Sequence, residues 1–331
     1  MKETSFQTVY GPVPSRRLGK SLGINNIPAK VCTYSCVYCQ VGRTTTAQVK
    51  RRTFYAPDDI LQDVQHHLVK VRISGERADY LTFVPDGEPT LDINLGKEIA
   101  LLKELNVPIG VITNSSLIFR DDVKDDLGRA DWVSLKIDTV SEPVWRRINR
   151  PNRSLSLSKI LDGILDFARH YKGKLVTETM LVRNLNDSEE HLRSLAAFIV
   201  QILGGTSYLS VPIRPPAEKG VQSPAEEALV RAYQIMSSFN HKVEYLMGYE
   251  GNAFASTGDL EQDLLSITAV HPMREEAVAE LINKTGADWL VVEQMIAQGL
   301  LMKKEYQGKI FFARKMDLIT SNKTPKSGEK S

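Results

Sequence analysis

The 331-residue chain predicts an α/β protein: a partial (β/α)6 TIM-like barrel over residues 1–250, a small winged-helix-like domain over 259–315 and a disordered tail at 316–331. Three observations carry this. Short β-branched runs alternate with longer amphipathic ones from about residue 20 to 240, the pattern of parallel strands joined by helical crossovers. The stretch "GYEGNAFASTG" at 248–258 then breaks the pattern like a linker. The last residues, "SNKTPKSGEKS", are too polar to bury a core.

In chain order the predicted strands are "SLGINNI", "YLTFV", "PIGVIT", "WVSLKID", "LVTETMLV" and "SYLSVPI". Helices are predicted near 58–73, 95–106, 121–128, 156–171, 188–203 and 224–239. In the first of them Ile60, Leu61, Val64, Leu68 and Val71 form one apolar stripe behind a Pro-Asp-Asp start. Six β/α units in series place functional residues at the C-terminal ends of the strands. After the linker come three helix candidates and "LLMKKEYQGKIFFARK", two strand-like runs around Gln307-Gly308. The third of these helices, "ADWLVVEQMIAQG", has no Lys or Arg and carries Asp288 and Glu293, which argues against DNA readout. The wing residues Lys303, Lys304, Lys309, Arg314 and Lys315 suit an RNA backbone or a protein partner, and the domain suits plain packing equally well.

A formal net charge of +2 is too mild to announce nucleic acid or membrane. No apolar run approaches the roughly 20 residues of a spanning helix, so no membrane partner is expected. The chain is long enough to bury a core without disulfides. Three cysteines and no secretory-type N-terminus point to a reduced, cytoplasmic setting.

All three cysteines lie in "KVCTYSCVYCQVGRTT", as C-x3-C-x2-C with Tyr38 before the last. Thiolates are soft ligands for zinc or iron-sulfur clusters. A closed zinc site needs four protein ligands. Cys32, Cys36 and Cys39 are three, and His66 and His67 fall in the first predicted helix, where they are expected to face solvent. A four-iron cluster accepts three thiolates and leaves one iron open. This motif after a first strand resembles the signature of the radical S-adenosylmethionine (SAM) superfamily. The resemblance implies a barrel of the radical SAM type, with a 4Fe-4S cluster on the three cysteines and SAM chelating the open iron. One electron then cleaves the sulfonium, giving a 5'-deoxyadenosyl radical that abstracts hydrogen from substrate. It also implies an electron donor of flavodoxin or ferredoxin type, and Tyr38 beside the adenine. The competing reading is a metal-binding regulatory module with a winged helix and no SAM chemistry.

The remaining strand ends supply further candidates. "PDGEPTL" resembles the family's "GGEP" motif that receives the SAM amino group, with Gly87, Glu88 and Pro89 in place and Asp86 where the family has its first glycine. Asn114 ends the third strand and is a candidate for the SAM ribose or carboxylate; an Asn that merely satisfies its loop fits nearly as well. In "WVSLKIDT" the period of two puts Val133, Leu135 and Ile137 on one face and Ser134, Lys136 and Asp138 on the other, which is expected to look inward. By resemblance Ser134 and Asp138 are SAM ribose or carboxylate candidates; Lys136 either neutralises Asp138 or touches substrate. Glu178 opposes Thr177 and Thr179 on the fifth strand, and periodicity does not choose between the faces. Arg214 ends the sixth strand and suits the SAM carboxylate or an anionic substrate.

The start, "YGPVPSRRLGKSLGINNIP", resembles a branch of free-standing proteins near the 4-demethylwyosine (wybutosine) synthases, which modify tRNA. Those carry cysteines for a second cluster, and this chain has none to spare. The resemblance therefore implies chemistry run by one cluster and the adenosyl radical, on an unidentified substrate of RNA or protein type. Arg16, Arg17, Lys20, Arg43, Lys50, Arg51 and Arg52 flank the cysteine loop and are expected either to meet phosphate or to form a solvated rim.

Overall fold

Val9–Ser15 (β1) and Gly19–Ile24 (β2) open the fold as an antiparallel hairpin, seen in a computed structural model that describes residues 8–202, 205–239, 242–246, 254 and 256–315. Val31–Cys32 (β3) and Thr46–Ala47 (β4) form a short parallel ladder on either side of the cysteine loop. There follow Pro57–Ile73 (α1), Tyr80–Phe83 (β5), Leu95–Lys103 (α2), Ile109–Thr113 (β6), Asp121–Leu127 (α3), Trp132–Lys136 (β7), Glu142–Ile148 (α4), Leu157–His170 (α5) and Lys174–Met180 (β8). Glu189–Ile199 (α6), Thr206–Ser210 (β9), Glu226–Ser238 (α7) and Lys242–Leu246 (β10) complete this part.

The main sheet has the order β1-β2-β5-β6-β7-β8-β9-β10, parallel throughout except at β1. Its two edges, β1 and β10, do not pair with each other, so the barrel is open. The six expected strands are β2 and β5–β9. Beyond them β10 and β1 extend the sheet, and α4 adds a helix of two turns. Local pattern hid these: β10 is half-exposed with Lys242 and Glu244 alternating, and β1 contains two prolines, which an edge strand tolerates.

The helices form where the stripe predicted them. Pro57 starts α1, Asp58 and Asp59 occupy its positive end, and Ile60, Val64, Leu68 and Val71 are buried against the sheet. His66 is exposed, but His67 corrects the expectation of two solvent-facing histidines: its Nε2 lies 2.7 Å from the Gly11 carbonyl. On β7, Val133, Leu135 and Ile137 join the main core under the helices. The alternate residues face inward, where Trp132 packs with Leu18, Val176 and Tyr208 at the bottom of the barrel. Arg17, from the β1–β2 turn, closes that bottom, its guanidinium 5.5 Å from the Trp132 ring and 5.7 Å from the Tyr208 ring.

The C-terminal segment comprises Leu260–Val270 (α8), Met273–Arg274 (β11), Glu275–Thr285 (α9), Leu290–Ala297 (α10), Leu301–Tyr306 (β12) and Lys309–Arg314 (β13). The strands form an antiparallel sheet of order β11-β13-β12. Phe254, Leu264, Ile267, Leu281, Val292 and Phe312 give this segment its own apolar core. It rests on the barrel: Val13 of β1 packs against that core, and the Tyr306 hydroxyl donates to the Pro212 carbonyl at 3.1 Å. The expected tail at 316–331 and most of the 248–258 linker lie outside the described residues.

Candidate active site

The cysteine loop is held against the end of β5 by a contact only glycine allows. A Cβ on Gly87 would stand 1.8 Å from the Val31 carbonyl, and the Glu88 amide donates to that same carbonyl at 3.2 Å. Glu88 then locks the turn to β6. Its carboxylate accepts from the Thr90 amide (3.1 Å), the Thr90 hydroxyl (2.6 Å), the Thr113 hydroxyl (2.7 Å) and the Asn114 amide (2.7 Å). Burial pushes this carboxyl up, and those donors partly offset it. Pro89 starts the buried one-turn helix that follows.

Cys32, Cys36 and Cys39 are free thiols, partly buried, on the wall of one cavity of about 360 Å³. The same cavity is lined by Tyr38, Gly87, Glu88, Asn114 and Arg214, so five of the eight predicted cofactor residues meet the three cysteines there. Burial raises all three thiols, Cys36 to about 12, and ligation has to release their protons. Among the described residues no three His, Cys, Asp or Glu side chains converge closely enough to hold a single metal ion. Three thiols on one cavity wall are the donor set that a four-iron cluster with one open iron takes, whereas a closed zinc site takes four protein ligands.

Ser134 and Asp138 face the barrel interior, as the alternation requires, yet they stand behind the cavity wall. Ser134 lies 3.4 Å from Arg17 Nη1. Asp138 accepts from the Tyr38 hydroxyl, from Asn149 Nδ2 at 2.7 Å and from the Met180 amide at 2.8 Å. It holds the aromatic next to the last cysteine in place. Asn114 aims its amide at the loop, 2.8 Å from Thr33 Oγ1 and 3.5 Å from Cys32 Sγ.

The cavity floor is ionic. Lys136 Nζ stands 3.0 Å from Glu178 Oε1, and Arg17 Nη1 stands 2.6 Å from Glu178 Oε2. Burial alone would raise Glu178, but the Lys136 and Arg17 charges hold it far below the usual carboxylate range. Lys136 therefore pairs chiefly with Glu178, and the face that periodicity left open on β8 is settled: Glu178 is inside, while Thr177 bonds Ser207 and Thr179 bonds the Ile137 carbonyl. Arg214 is spanned between two segments, donating to Gln40 Oε1 at 3.0 Å and to His271 Nε2 at 2.8 Å. His271 is held well below its ordinary value by burial and by the Arg214 charge, so it is a neutral acceptor.

Asn149 and His271 carry no local signal and reach the site from a helix end and the C-terminal segment, whereas Arg17, expected at a phosphate site or a solvated rim, turns inward from the β1–β2 turn onto Glu178. Asp86, the departure from the glycine motif, is buried on the cavity wall, and neither of its carboxylate oxygens has a hydrogen-bond partner among the described residues. Burial raises it to about 7 against the Lys30 and Arg314 charges.

The basic run around the loop is mixed: Arg16, Arg43, Lys50 and Arg52 are exposed, Arg17 and Lys20 are half-buried, and only Arg51 of the seven is buried. Arg51 is buried, bonded to the Thr90 and Asp92 carbonyls and paired with Asp122 and Asp126. Arg43 pairs with Glu218, Lys20 with Glu76, and Arg52 covers the Phe54 ring at 4.7 Å.

Comparisons with known proteins agree with this geometry. The UPF0026 protein MJ1312 of Methanocaldococcus jannaschii is 48% identical over 307 residues, 92% of this chain and 95% of that protein. A UPF0026 protein of Helicobacter pylori is 33% identical over 224 residues, 67% of this chain and 71% of that protein. The crystal structure of a radical SAM methyltransferase from Sphaerobacter thermophilus shares the fold, at a TM-score of 0.52 and 16% identity over 72% of this chain and 70% of that one. Residues 26–196, which contain the cysteine loop, the Gly87-Glu88 turn and strands β5 to β8, match the Radical SAM superfamily. The chain is thus a member of the Radical SAM superfamily, an enzyme of the radical SAM type.

Proposed function

We propose that this enzyme holds one 4Fe-4S cluster through Cys32, Cys36 and Cys39 and uses SAM to start hydrogen abstraction from a substrate bound inside the barrel. The observation that carries the reading is the meeting of all three thiols with the ends of β5, β6 and β9 on one cavity wall. When bound, the cluster and SAM supply one-electron cleavage of a sulfonium and a 5'-deoxyadenosyl radical. The chain's own residues frame that chemistry. Tyr38, the Gly87-Glu88 turn, Asn114 and Arg214 surround the thiols as cosubstrate contacts, with Asp138 holding Tyr38 from behind, Pro89 opening the one-turn helix after Glu88 and Ser134 set deeper beside Arg17. Lys136 and Glu178 form the polar floor that orients the substrate, and the apolar wall of Ile112, Met180, Val211 and Leu246 excludes water.

Residues 259–315 are read as a winged-helix-like module that closes one side of the mouth through His271. The electron comes from a flavodoxin- or ferredoxin-type donor in the cytoplasm, where thiols stay reduced. The described residues contain no helix long and apolar enough to cross a membrane. An RNA substrate would be met by the exposed Arg16, Lys50 and Arg52 beside the loop and by the exposed Lys303, Lys304 and Lys309 of the β12–β13 hairpin. Such binding has to weaken steeply with salt. The test of the enzyme reading is Cys36→Ala, which should lose both iron and 5'-deoxyadenosine formation under reducing, anaerobic conditions. Retention of reductive SAM cleavage by that variant would refute it.

A further inference from the structure

The three thiols draw their hydrogen-bond donors from different places. Cys39 has the backbone N–H groups of Val41 and Gly42 beside it, and Cys32 has that of Tyr34 together with the Asn114 side-chain amide at 3.5 Å. Cys36 draws on a side-chain amide from a different element: Asn149 Nδ2 lies 3.4 Å from its Sγ, from a position 113 residues away.

Asn149 is built for that position. It ends α4, its own N–H donating to the Trp145 carbonyl at 2.9 Å. Its carbonyl accepts the Ser35 amide at 3.0 Å, inside the cysteine loop. The side chain is buried, at 3% exposure. Its amide group has two hydrogens and three neighbours, Asp138 Oδ2 at 2.7 Å, Tyr38 Oη at 3.3 Å and Cys36 Sγ at 3.4 Å. Asp138 takes one hydrogen. The Tyr38 hydroxyl already gives its own proton to Asp138. The second hydrogen is therefore directed at the Cys36 sulfur and the adjoining phenol oxygen.

We propose that Asn149 is a positioning residue for the cluster: its N–H donates to the Cys36 thiolate and raises the reduction potential of the bound cluster. The inference rests on the cluster reading above. Reduction adds negative charge that spreads onto the sulfurs, and a donor aimed at a sulfur stabilises the reduced state more than the oxidised one. The Asp138–Tyr38 pair fixes the direction of that donor, linking the strand end of β7 to the potential of the site.

The experiment uses the full-length protein, reconstituted anaerobically with iron and sulfide. Wild type, Asn149→Leu and Asn149→Ser are compared for iron per chain, thermal midpoint and cluster midpoint potential by redox titration followed by EPR. Asn149→Leu keeps the volume and removes the donor. The expected result is full iron loading with a cluster potential shifted negative of wild type. Full loading with an unchanged potential overturns the inference, because a purely structural role would leave the potential where it was. Should Asn149→Leu not take up iron, Asn149→Ser is read in the same way. Loss of iron in both variants with wild type loaded assigns Asn149 to folding alone and likewise overturns it. An iron-free wild type would instead overturn the cluster reading itself.

Discussion

Lys136 and Glu178 face each other across neighbouring strands at 3.0 Å, with Arg17 closing on the same carboxylate from below. One carboxylate thus satisfies two cations at the floor of the cavity. Removing it by Glu178→Gln strands both charges in a poorly hydrated interior, an expected loss of about 3 kcal/mol at neutral pH. Because the folded carboxyl is held far below its unfolded value, that contribution is complete above the ordinary carboxylate range and is lost as pH falls through the folded value. Denaturant titrations of both proteins at several pH values check this; equal stabilities at pH 7 would contradict the pairing.

A buried pair of carboxylates behaves in the opposite sense. Glu98 and Asp92 are both fully buried beneath the Glu88 turn, and Asn26 donates to Glu98 at 3.2 Å. Burial first, and the Asp92 charge second, push Glu98 far up. The folded state therefore retains a proton that the unfolded chain releases, and stability must fall as pH rises above the ordinary carboxylate range. Glu98→Gln keeps the Asn26 bond and can donate to Asp92. It should be more stable than wild type at pH 8 by about 1–2 kcal/mol, with the gain shrinking towards pH 4. Thermal midpoints across that range check the sign.

Gly87→Ala tests the contact between the β5 turn and the cysteine loop. The added carbon meets a backbone carbonyl at 1.8 Å, which no side-chain rotation relieves. A loss of about 3 kcal/mol and reduced iron uptake are expected. Wild-type iron content and stability in this variant would show that the loop packs differently.

Arg214 and His271 tie the cysteine loop to the C-terminal segment. His271→Ala should leave iron stoichiometry intact while a chelator strips iron several-fold faster. In wild type, the depressed folded value of His271 means that the unfolded chain takes the proton first as pH drops below 6.5. Wild-type stability should fall in that window, and His271→Ala should lose that component. An unchanged chelation rate would mean that the segment does not guard the site.

What was legible in the sequence follows from the range of the interactions. The strands β5 to β9 and the long helices show in local periodicity, and the inward face of β7 follows from alternation alone. Glu178 could not be oriented because polar residues occupy both faces of β8; its partners lie 42 and 161 residues away. Arg51 looks like part of a surface run because its acids, Asp122 and Asp126, are 71 and 75 residues distant. Asn149 reads as an ordinary helix end, since its acceptors come together only in the fold. The cysteine loop was legible because its three thiols lie within one short stretch of chain.

In the function proposed above, the three thiols are an incomplete ligand set whose open position SAM fills. This is tested most directly by EPR of the anaerobically reconstituted, reduced protein with and without SAM. Four irons per chain and a reduced-cluster signal that changes when SAM is added are expected. One zinc per chain, or a signal indifferent to SAM, would contradict it.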